Sequence, residues 1–232
     1  MKDILGKALL DFQTGNYSEN IITSTSISDK DVLPLPYMFR TYIEMPVIEQ
    51  RALQISQGKI LDVGCGSGNH SLFLKNKGLE VKPIDISKGA VKVCQLRGLE
   101  QAQVLDVMDE TDKFDTILLL MNGAGVLRSL EKAPRYLDHL KKLLNAKGQI
   151  LMDSSDIKYM YEDDDGGIWI DLHSNYYGEL QYKVSYKGEE ESFPWMYLDF
   201  ETLGELSRNA GFNCELEIEG DHFDFLARLT LA

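Results

Sequence analysis

The sequence predicts an α/β protein built on a mostly parallel sheet with helices on both faces. Three observations carry this prediction. Between residues 58 and 153, short apolar segments alternate with segments of helical periodicity. One of them, Phe114–Met121, is almost continuously apolar, which is typical of a central strand buried on both faces. A glycine-rich loop joins the first strand directly to a helix.

The elements of this region follow one another in a regular order. The predicted strands are Lys59–Val63, Glu80–Ile84, Gln103–Leu105, Phe114–Met121 and Gly148–Asp153. The predicted helices are Gly68–Lys77, Ser87–Arg97 with Ser87 as its N-cap, and Leu130–Leu144. Because parallel strands need a crossover connection, this alternation indicates βαβ units.

The pattern changes on either side of this region. Beyond Tyr159, alternating β-branched and aromatic residues predict antiparallel strands, followed by a helix and a last strand pair. These elements are predicted at Ile168–Leu172, Gly178–Tyr186, Ser192–Leu198, Asp199–Ala210, Cys214–Ile218 and Phe225–Leu231, with a turn at Lys187-Gly188. Residues 1–57 predict helical pieces around an irregular polar stretch at 16–30.

The charge of the chain is strongly acidic and unevenly distributed. Lys and Arg number 24 against 37 Asp and Glu, which gives a net charge of −13. Residues 1–158 are balanced, whereas residues 159–232 hold 17 acidic and 4 basic side chains. A protein that binds a phosphate backbone needs a basic face, so the composition argues against nucleic acid or an anionic membrane as the main partner.

Membrane and redox signals are weak. No segment reaches the roughly 18 apolar residues of a membrane span. The N-terminus has the pattern of an amphipathic helix and not of a signal peptide. Cys65, Cys94 and Cys214 are widely spaced, with no CxxC pair, so neither a disulfide framework nor a metal site is expected. A cytoplasmic location is therefore expected.

The strongest functional signal is the segment ILDVGCGSG at residues 60–68. Glycines let a ligand lie against the main chain, and the following helix N-terminus supplies free N–H donors. A dinucleotide-binding dehydrogenase uses a similar loop and is the rival interpretation. The spacing here is GxGxG, and acidic residues stand at Asp62, Asp85 and Asp106, each at the end of a predicted strand. Asp109 and Asp112 are alternatives to Asp106.

Four motifs occur in this order: DVGCGSG at 62–68, IDIS at 84–87, LDV at 105–107 and FDTILLLMN at 114–122. Over roughly residues 55–155 the chain resembles the class I S-adenosylmethionine-dependent methyltransferases. The resemblance implies a Rossmann-like, seven-stranded, mostly parallel sheet and S-adenosyl-L-methionine as cofactor. We expect an N-terminal helical cap at 1–57 and a methyltransferase domain at 58–232, with a β-rich insertion on the substrate side at 159–198.

The resemblance also implies roles for individual residues. The loop residues Gly64, Cys65, Gly66 and Gly68 would lie against the methionine and ribose parts of the cofactor, with Asp62 near its ammonium group. Asp85 would bind the ribose hydroxyls and Ile86 would lie against the adenine. Asp106 would accept from the adenine amino group, with Val107 beside it. Met121 and Asn122 would reach the methionine end and the substrate.

The catalytic candidates are Asn122, His173 and Tyr17. Methyl transfer depends mainly on alignment, so the sequence identifies no obligatory base. Asn122 opens an Asn-Gly pair, which is equally typical of a turn. The Asn/Asp-Pro-Pro-aromatic motif of many base- and amide-methylating enzymes is absent from this position. Arg40 is expected to bind a substrate carboxylate or to pair with Glu44.

These observations favour methyl transfer to oxygen or nitrogen of a small molecule. Aromatic residues concentrated in 15–45 and 159–198 suit a substrate with an apolar part, and the acidic last third suits a neutral or cationic one. Two alternatives stay open. One is a protein methyltransferase that acts on a basic peptide, and the other is a non-catalytic regulatory protein that binds the cofactor.

Overall fold

The computed structural model describes residues 2–162, 165 and 176–232. Its helices are α1 (Ile4–Gln13), α2 (Val47–Ile55), α3 (Asn69–Asn76), α4 (Lys88–Leu96), α5 (Ala133–Leu143) and α6 (Phe200–Asn209). Its strands are β1 (Ile21–Thr25), β2 (Asp31–Leu33), β3 (Lys59–Val63), β4 (Glu80–Asp85), β5 (Gln103–Val104), β6 (Phe114–Leu119), β7 (Leu144–Ser155), β8 (Glu179–Tyr186), β9 (Glu189–Met196), β10 (Phe212–Glu219) and β11 (Asp224–Leu231).

The main sheet has seven strands in the order β10-β11-β7-β6-β3-β4-β5. The five strands from β7 to β5 are parallel, whereas β11 runs antiparallel to both of its neighbours. The predicted fold class is therefore confirmed. The strand order reverses between β3 and β6, and in such sheets ligands bind beyond the carboxyl ends of the strands at this point.

A small sheet of four antiparallel strands, β2-β1-β8-β9, lies outside the main one. The β8–β9 hairpin confirms the β-rich insertion, and its turn has positive φ at Lys187 (49°) and Gly188 (75°), as a two-residue hairpin requires. The predicted strand at 168–172 lies outside the described residues. The stretch 16–30 is not irregular throughout, because β1 forms within it and pairs with β8. The N-terminal cap therefore contains strands as well as helices.

The N-terminal region packs in two separate places. Helix α1 buries Ile4, Ala8 and Leu9 with residues of α4 and β8. Helix α2 instead packs Ala52 and Leu53 under the main sheet, in the same cluster as β3, β6, β7 and β11. Helix α1 therefore packs on α4 and the small sheet, whereas α2 packs on the main sheet. In the described ranges, no helix is long and apolar enough to span a membrane.

Candidate functional site

The glycine loop after β3 presents an open backbone surface. Gly64, Gly66 and Gly68 all have positive φ, at 72°, 53° and 85°. A Cβ at Gly64 would meet nothing within 4 Å, and one at Gly66 would meet only a backbone oxygen at 4.0 Å. A Cβ at Gly68 would instead stand 2.6 Å from Leu99 and 2.9 Å from Cys94. The first two glycines therefore leave room for a ligand, while the third permits close packing on α4.

Asp85 lies at the end of β4 and contacts this loop. One carboxylate oxygen accepts the N–H of Gly66 at 2.9 Å and the other accepts the N–H of Ser87 at 2.8 Å. Burial raises the pKa of Asp85 to about 6, although both N–H groups act in the opposite direction. Each oxygen keeps a lone pair for a further donor, and the neighbouring Ile86 is 46% exposed.

Asp62 and Cys65 are buried behind the loop. Asp62 is 2% exposed and accepts the Ser71 hydroxyl at 2.6 Å, so it holds the first turn of α3 against β3. The Cys65 sulfur lies 3.6 Å from that of Cys94. This contact and burial raise the pKa of the Cys65 thiol well above its ordinary value. A thiol in this state is a poor nucleophile.

Asp106 begins the segment after β5. It accepts the N–H of Met108 at 3.0 Å and lies 3.4 Å from the guanidinium of Arg128. Its side chain is 35% exposed, so it remains accessible to a ligand. The next residue, Val107, is buried, and its carbonyl contacts the ring of His139 at 2.9 Å.

The turn after β6 is held by a carboxylate that the sequence analysis did not identify. Met121 and Asn122 both adopt the left-handed conformation, with φ of 65° and 59°. Asp153, at the end of the adjacent β7, accepts the N–H groups of Met121 at 3.0 Å and Gly123 at 2.7 Å. Burial raises the pKa of Asp153 to about 6. Strained backbone of this kind persists where surrounding contacts fix it, and it concentrates at functional sites.

The carboxamide of Asn122 joins this turn to the small sheet. Its oxygen accepts the Ser154 hydroxyl at 3.2 Å, and its nitrogen donates to the carbonyl of Met196 at 3.3 Å. The Ser154 oxygen also accepts the N–H of Leu198 at 2.8 Å. Asn122 therefore has the left-handed turn geometry expected of an Asn-Gly pair and, in addition, positions the end of β9.

A buried charged cluster lies on the α2–α3 side of the loop. The His70 ring contacts Glu49 at 2.7 Å, and Glu49 also pairs with Arg40. The expected pairing of Arg40 with Glu44 does not form, because Glu44 caps the short 3-10 helix at Thr41 instead. Burial disfavours the charged forms of Glu49 and His70, but their contacts with oppositely charged groups outweigh this effect. The pKa of Glu49 is therefore lowered and that of His70 is raised.

One catalytic candidate, Tyr17, makes none of the contacts described above. Tyr17 lies between α1 and β1, is 40% exposed, and donates its hydroxyl to Asn20 at 2.7 Å. His173 lies outside the described residues. The parallel pairing of the main sheet brings the other predicted residues to one edge, since the carboxyl ends of β6, β3, β4 and β5 are neighbours.

The residues at this edge fit S-adenosylmethionine. The open glycine backbone provides the surface, Asp85 provides acceptor capacity for hydroxyls, and exposed Ile86 provides an apolar contact beside it. Asp106 provides an accessible carboxylate one strand further along. These acceptors and the apolar contact match the ribose hydroxyls and the adenine of the cofactor.

This fold and site define an S-adenosylmethionine-dependent methyltransferase of class I. The model of the methyltransferase domain family matches residues 38–217, and the chain belongs to that family. A crystal structure of a SAM-dependent methyltransferase from Bacteroides fragilis, in complex with S-adenosyl-L-homocysteine, is 42% identical and has a TM-score of 0.93. That match covers 100% of this chain and 95% of the other.

Other known proteins match this chain at lower sequence identity or over a shorter length. The CcbJ methyltransferase from Streptomyces caelestis shares the fold at 11% identity, with a TM-score of 0.62 over 81% of this chain and 97% of the other. The ubiquinone biosynthesis O-methyltransferase of Leptothrix cholodnii is 41% identical over 56 residues, 24% of each chain. That match spans only about a quarter of the curated relative's length.

Proposed function

We propose that this enzyme methylates an oxygen or nitrogen atom of a small molecule that is neutral or cationic and has an apolar part. The observation that carries the proposal is an aromatic wall, formed by Tyr182, Phe193 and Trp195 on the small sheet and by Tyr197 directly after β9. The first three rings lie 5.8 to 6.4 Å apart by their centroids. The wall is joined to the turn after β6 through Asn122. An apolar group of limited size fits such a surface.

We assign the cofactor contacts to the residues at the sheet edge. The loop Gly64, Cys65, Gly66 and Gly68 supports the methionine and ribose parts, with Asp62 behind it. Asp85 accepts the ribose hydroxyls and Ile86 contacts the adenine. Asp106 accepts from the adenine amino group next to Val107. Met121 and Asn122 border the methionine end.

When bound, the cofactor supplies a methyl group on a sulfonium, which the acceptor lone pair attacks in line. The chain contributes binding, alignment and exclusion of water. Asp153 fixes the backbone of the turn, and Asn122 fixes the distance between the turn and the wall. Both act as positioning residues. An amine acceptor can lose its proton to water, whereas a hydroxyl acceptor requires a base, for which Tyr17 and His173 remain the candidates.

A panel assay tests the proposal. Release of S-adenosylhomocysteine is measured with amines, phenols, aliphatic alcohols and lysine- or arginine-rich peptides. We expect turnover with a small amine or hydroxyl compound. Turnover confined to the peptides would establish a protein methyltransferase instead. Tight cofactor binding without turnover across all classes would establish a regulatory binding protein.

A further inference from the structure

Two aromatic side chains at the end of β9 are not part of the hydrophobic core. Trp195 and Tyr197 are partly buried but belong to none of the core clusters of the described residues. Met196 and Leu198, which alternate with them, are fully buried in the main cluster. Because successive side chains of a strand point to opposite faces, Trp195 and Tyr197 point away from that core.

Trp195 lies directly beside the turn that follows β6. A Cβ at Gly125 would collide with its indole ring, so the ring lies against the backbone of the short 3-10 helix that continues the turn. The hydrogen bonds of Met196 to Asn122 and of Leu198 to Ser154 hold this part of the wall in place. The two rings therefore border the carboxyl edge at which the cofactor site lies.

The hydroxyl of Tyr197 has no hydrogen-bond partner in the described part of the chain. Four other tyrosine hydroxyls near this sheet do have partners; they belong to Tyr161, Tyr176, Tyr177 and Tyr186. Burial raises the pKa of Tyr197, so its hydroxyl stays protonated at neutral pH. Such a hydroxyl can accept a hydrogen bond from a bound ligand.

The wall also lacks a cation of the protein's own. Lys or Arg groups stand over several other rings, among them Tyr37, Phe39 and Tyr186. Within the described ranges, no such contact involves the four rings of the wall. The charged group that acts on Tyr197 is acidic: Asp153 lies close enough to influence its hydroxyl, together with Tyr182 and Tyr159.

We propose that the substrate carries an ammonium group that lies over the ring of Trp195 and donates a hydrogen bond to the hydroxyl oxygen of Tyr197. Tryptophan gives the strongest cation–π interaction of the aromatic residues. The acidic surroundings favour a positive charge in the same place. This inference rests on the proposed function and narrows its substrate to a small organic compound with a protonated amine.

A pair of isosteric probes tests the charge directly. Choline and its uncharged carbon analogue 3,3-dimethylbutan-1-ol are titrated into the protein saturated with S-adenosylhomocysteine, and binding is followed by calorimetry. We expect choline to bind at least about tenfold more tightly. Trp195→Leu should remove this preference. Tyr42→Leu, which removes a ring stacked on Phe73 beside α3, should retain it.

A second measurement does not depend on the folding of the Trp195 variant. The chain has two tryptophans, so fluorinated tryptophan can replace both without changing their shape. Successive fluorination weakens the ring's attraction for a cation, and we expect choline affinity to fall in steps while the affinity for the carbon analogue stays constant. Tyr197→Phe should lower the affinity for ethanolamine, which can donate N–H bonds, more than that for choline.

The outcomes separate this inference from the proposed function. Equal affinities of the two probes, or no binding of choline at millimolar concentration, would overturn the ammonium site even if a neutral hydroxyl compound is methylated. Preferential choline binding that Trp195→Leu abolishes supports the site. In that case, absence of methyl transfer to every amine and every hydroxyl compound of the panel would overturn the proposed function alone.

Discussion

The carboxylate of Asp85 accepts the backbone N–H of Gly66 at 2.9 Å and thereby joins the end of β4 to the middle of the glycine loop. The second oxygen of the same carboxylate accepts the N–H of Ser87, the N-cap of α4. One side chain therefore positions the loop and the start of a helix. We infer that it contributes to cofactor binding both directly and through the loop.

Replacing Asp85 should weaken cofactor binding. Asp85→Ala removes the proposed acceptor of the ribose hydroxyls and the support of the loop, and hydrogen bonds to a charged group contribute about 1.5–3 kcal/mol each. We expect the Kd for S-adenosylhomocysteine, measured by calorimetry, to rise about 10- to 100-fold. Asp138→Ala, on the exposed face of α5, is the control and should bind normally. An unchanged Kd in Asp85→Ala would mean that the ribose contact lies elsewhere.

Substitution of the third glycine should destabilise the fold itself. In Gly68→Ala, a side chain enters a left-handed backbone position and also collides with Leu99 and Cys94. We expect a loss of about 2–4 kcal/mol in the free energy of unfolding, measured by urea denaturation. Gly98→Ala is the matched control: φ is 92°, but no atom lies within 4 Å of the new Cβ, so only about 1 kcal/mol should be lost. Equal losses in the two variants would contradict the packing role of Gly68.

The main sheet could be predicted because its signals are local. Strands β3, β6 and β7 contain apolar segments next to a turn or a helix, and the resemblance added the order of the strands. Strand β1 was missed for the opposite reason. Its segment Ile21–Thr25 is short and polar, and it becomes a strand by pairing with β8, as in the register of Thr23 with Val184. A contact between such distant parts of the chain leaves no periodic pattern.

The same distinction applies to the candidate site. The glycine loop and Asp85 lie within one βαβ unit and could be located from spacing. Asp153 and Glu49 could not, because each acts on a segment far away in the sequence. The end of β7 did carry a signal, since Asp153 closes an apolar strand as Asp85 does. The adjacency of β7 and β6, which gives that carboxylate its partners, appears only in the folded sheet.

The buried cluster around Glu49 should be important for stability. Glu49→Gln leaves the guanidinium of Arg40 and the ring of His70 buried without their carboxylate, and such changes cost about 3–5 kcal/mol. The control is Glu217→Gln, which breaks the more exposed pair with Arg51 and should cost less than about 1 kcal/mol. Urea denaturation measures both.

The pH dependence of this loss provides a second criterion. The folded-state pKa of His70 is raised, so the stabilisation from its charged form is fully present below the pKa of the unfolded chain and is lost as pH rises through the folded value. The difference between the wild type and Glu49→Gln should therefore shrink with increasing pH. A difference that stays constant would show that His70 is neutral in the folded protein.

The contribution of Asp153 to stability should change with pH in the direction opposite to that of an ordinary ion-paired carboxylate. Burial raises its folded pKa to about 6, compared with an ordinary value of 3.8. Between these values the folded state holds a proton that the unfolded state has released, so this group's stabilising contribution falls as pH rises. A shift of about two units corresponds to about 3 kcal/mol. Asp153→Asn removes the titration, so its stability relative to the wild type should increase by about that amount between pH 4 and pH 6.

Urea denaturation of both proteins across this range measures the effect, and Asp138→Asn on the surface of α5 should show no such trend. The variant also loses one acceptor for the N–H groups of Met121 and Gly123, which lowers its stability by a similar amount at every pH. The change of this stability difference with pH therefore reports the buried charge. Its pH-independent part reports the lost hydrogen bond in the turn. A relative stability that decreases with pH would show instead that the two N–H groups stabilise the carboxylate more than burial destabilises it.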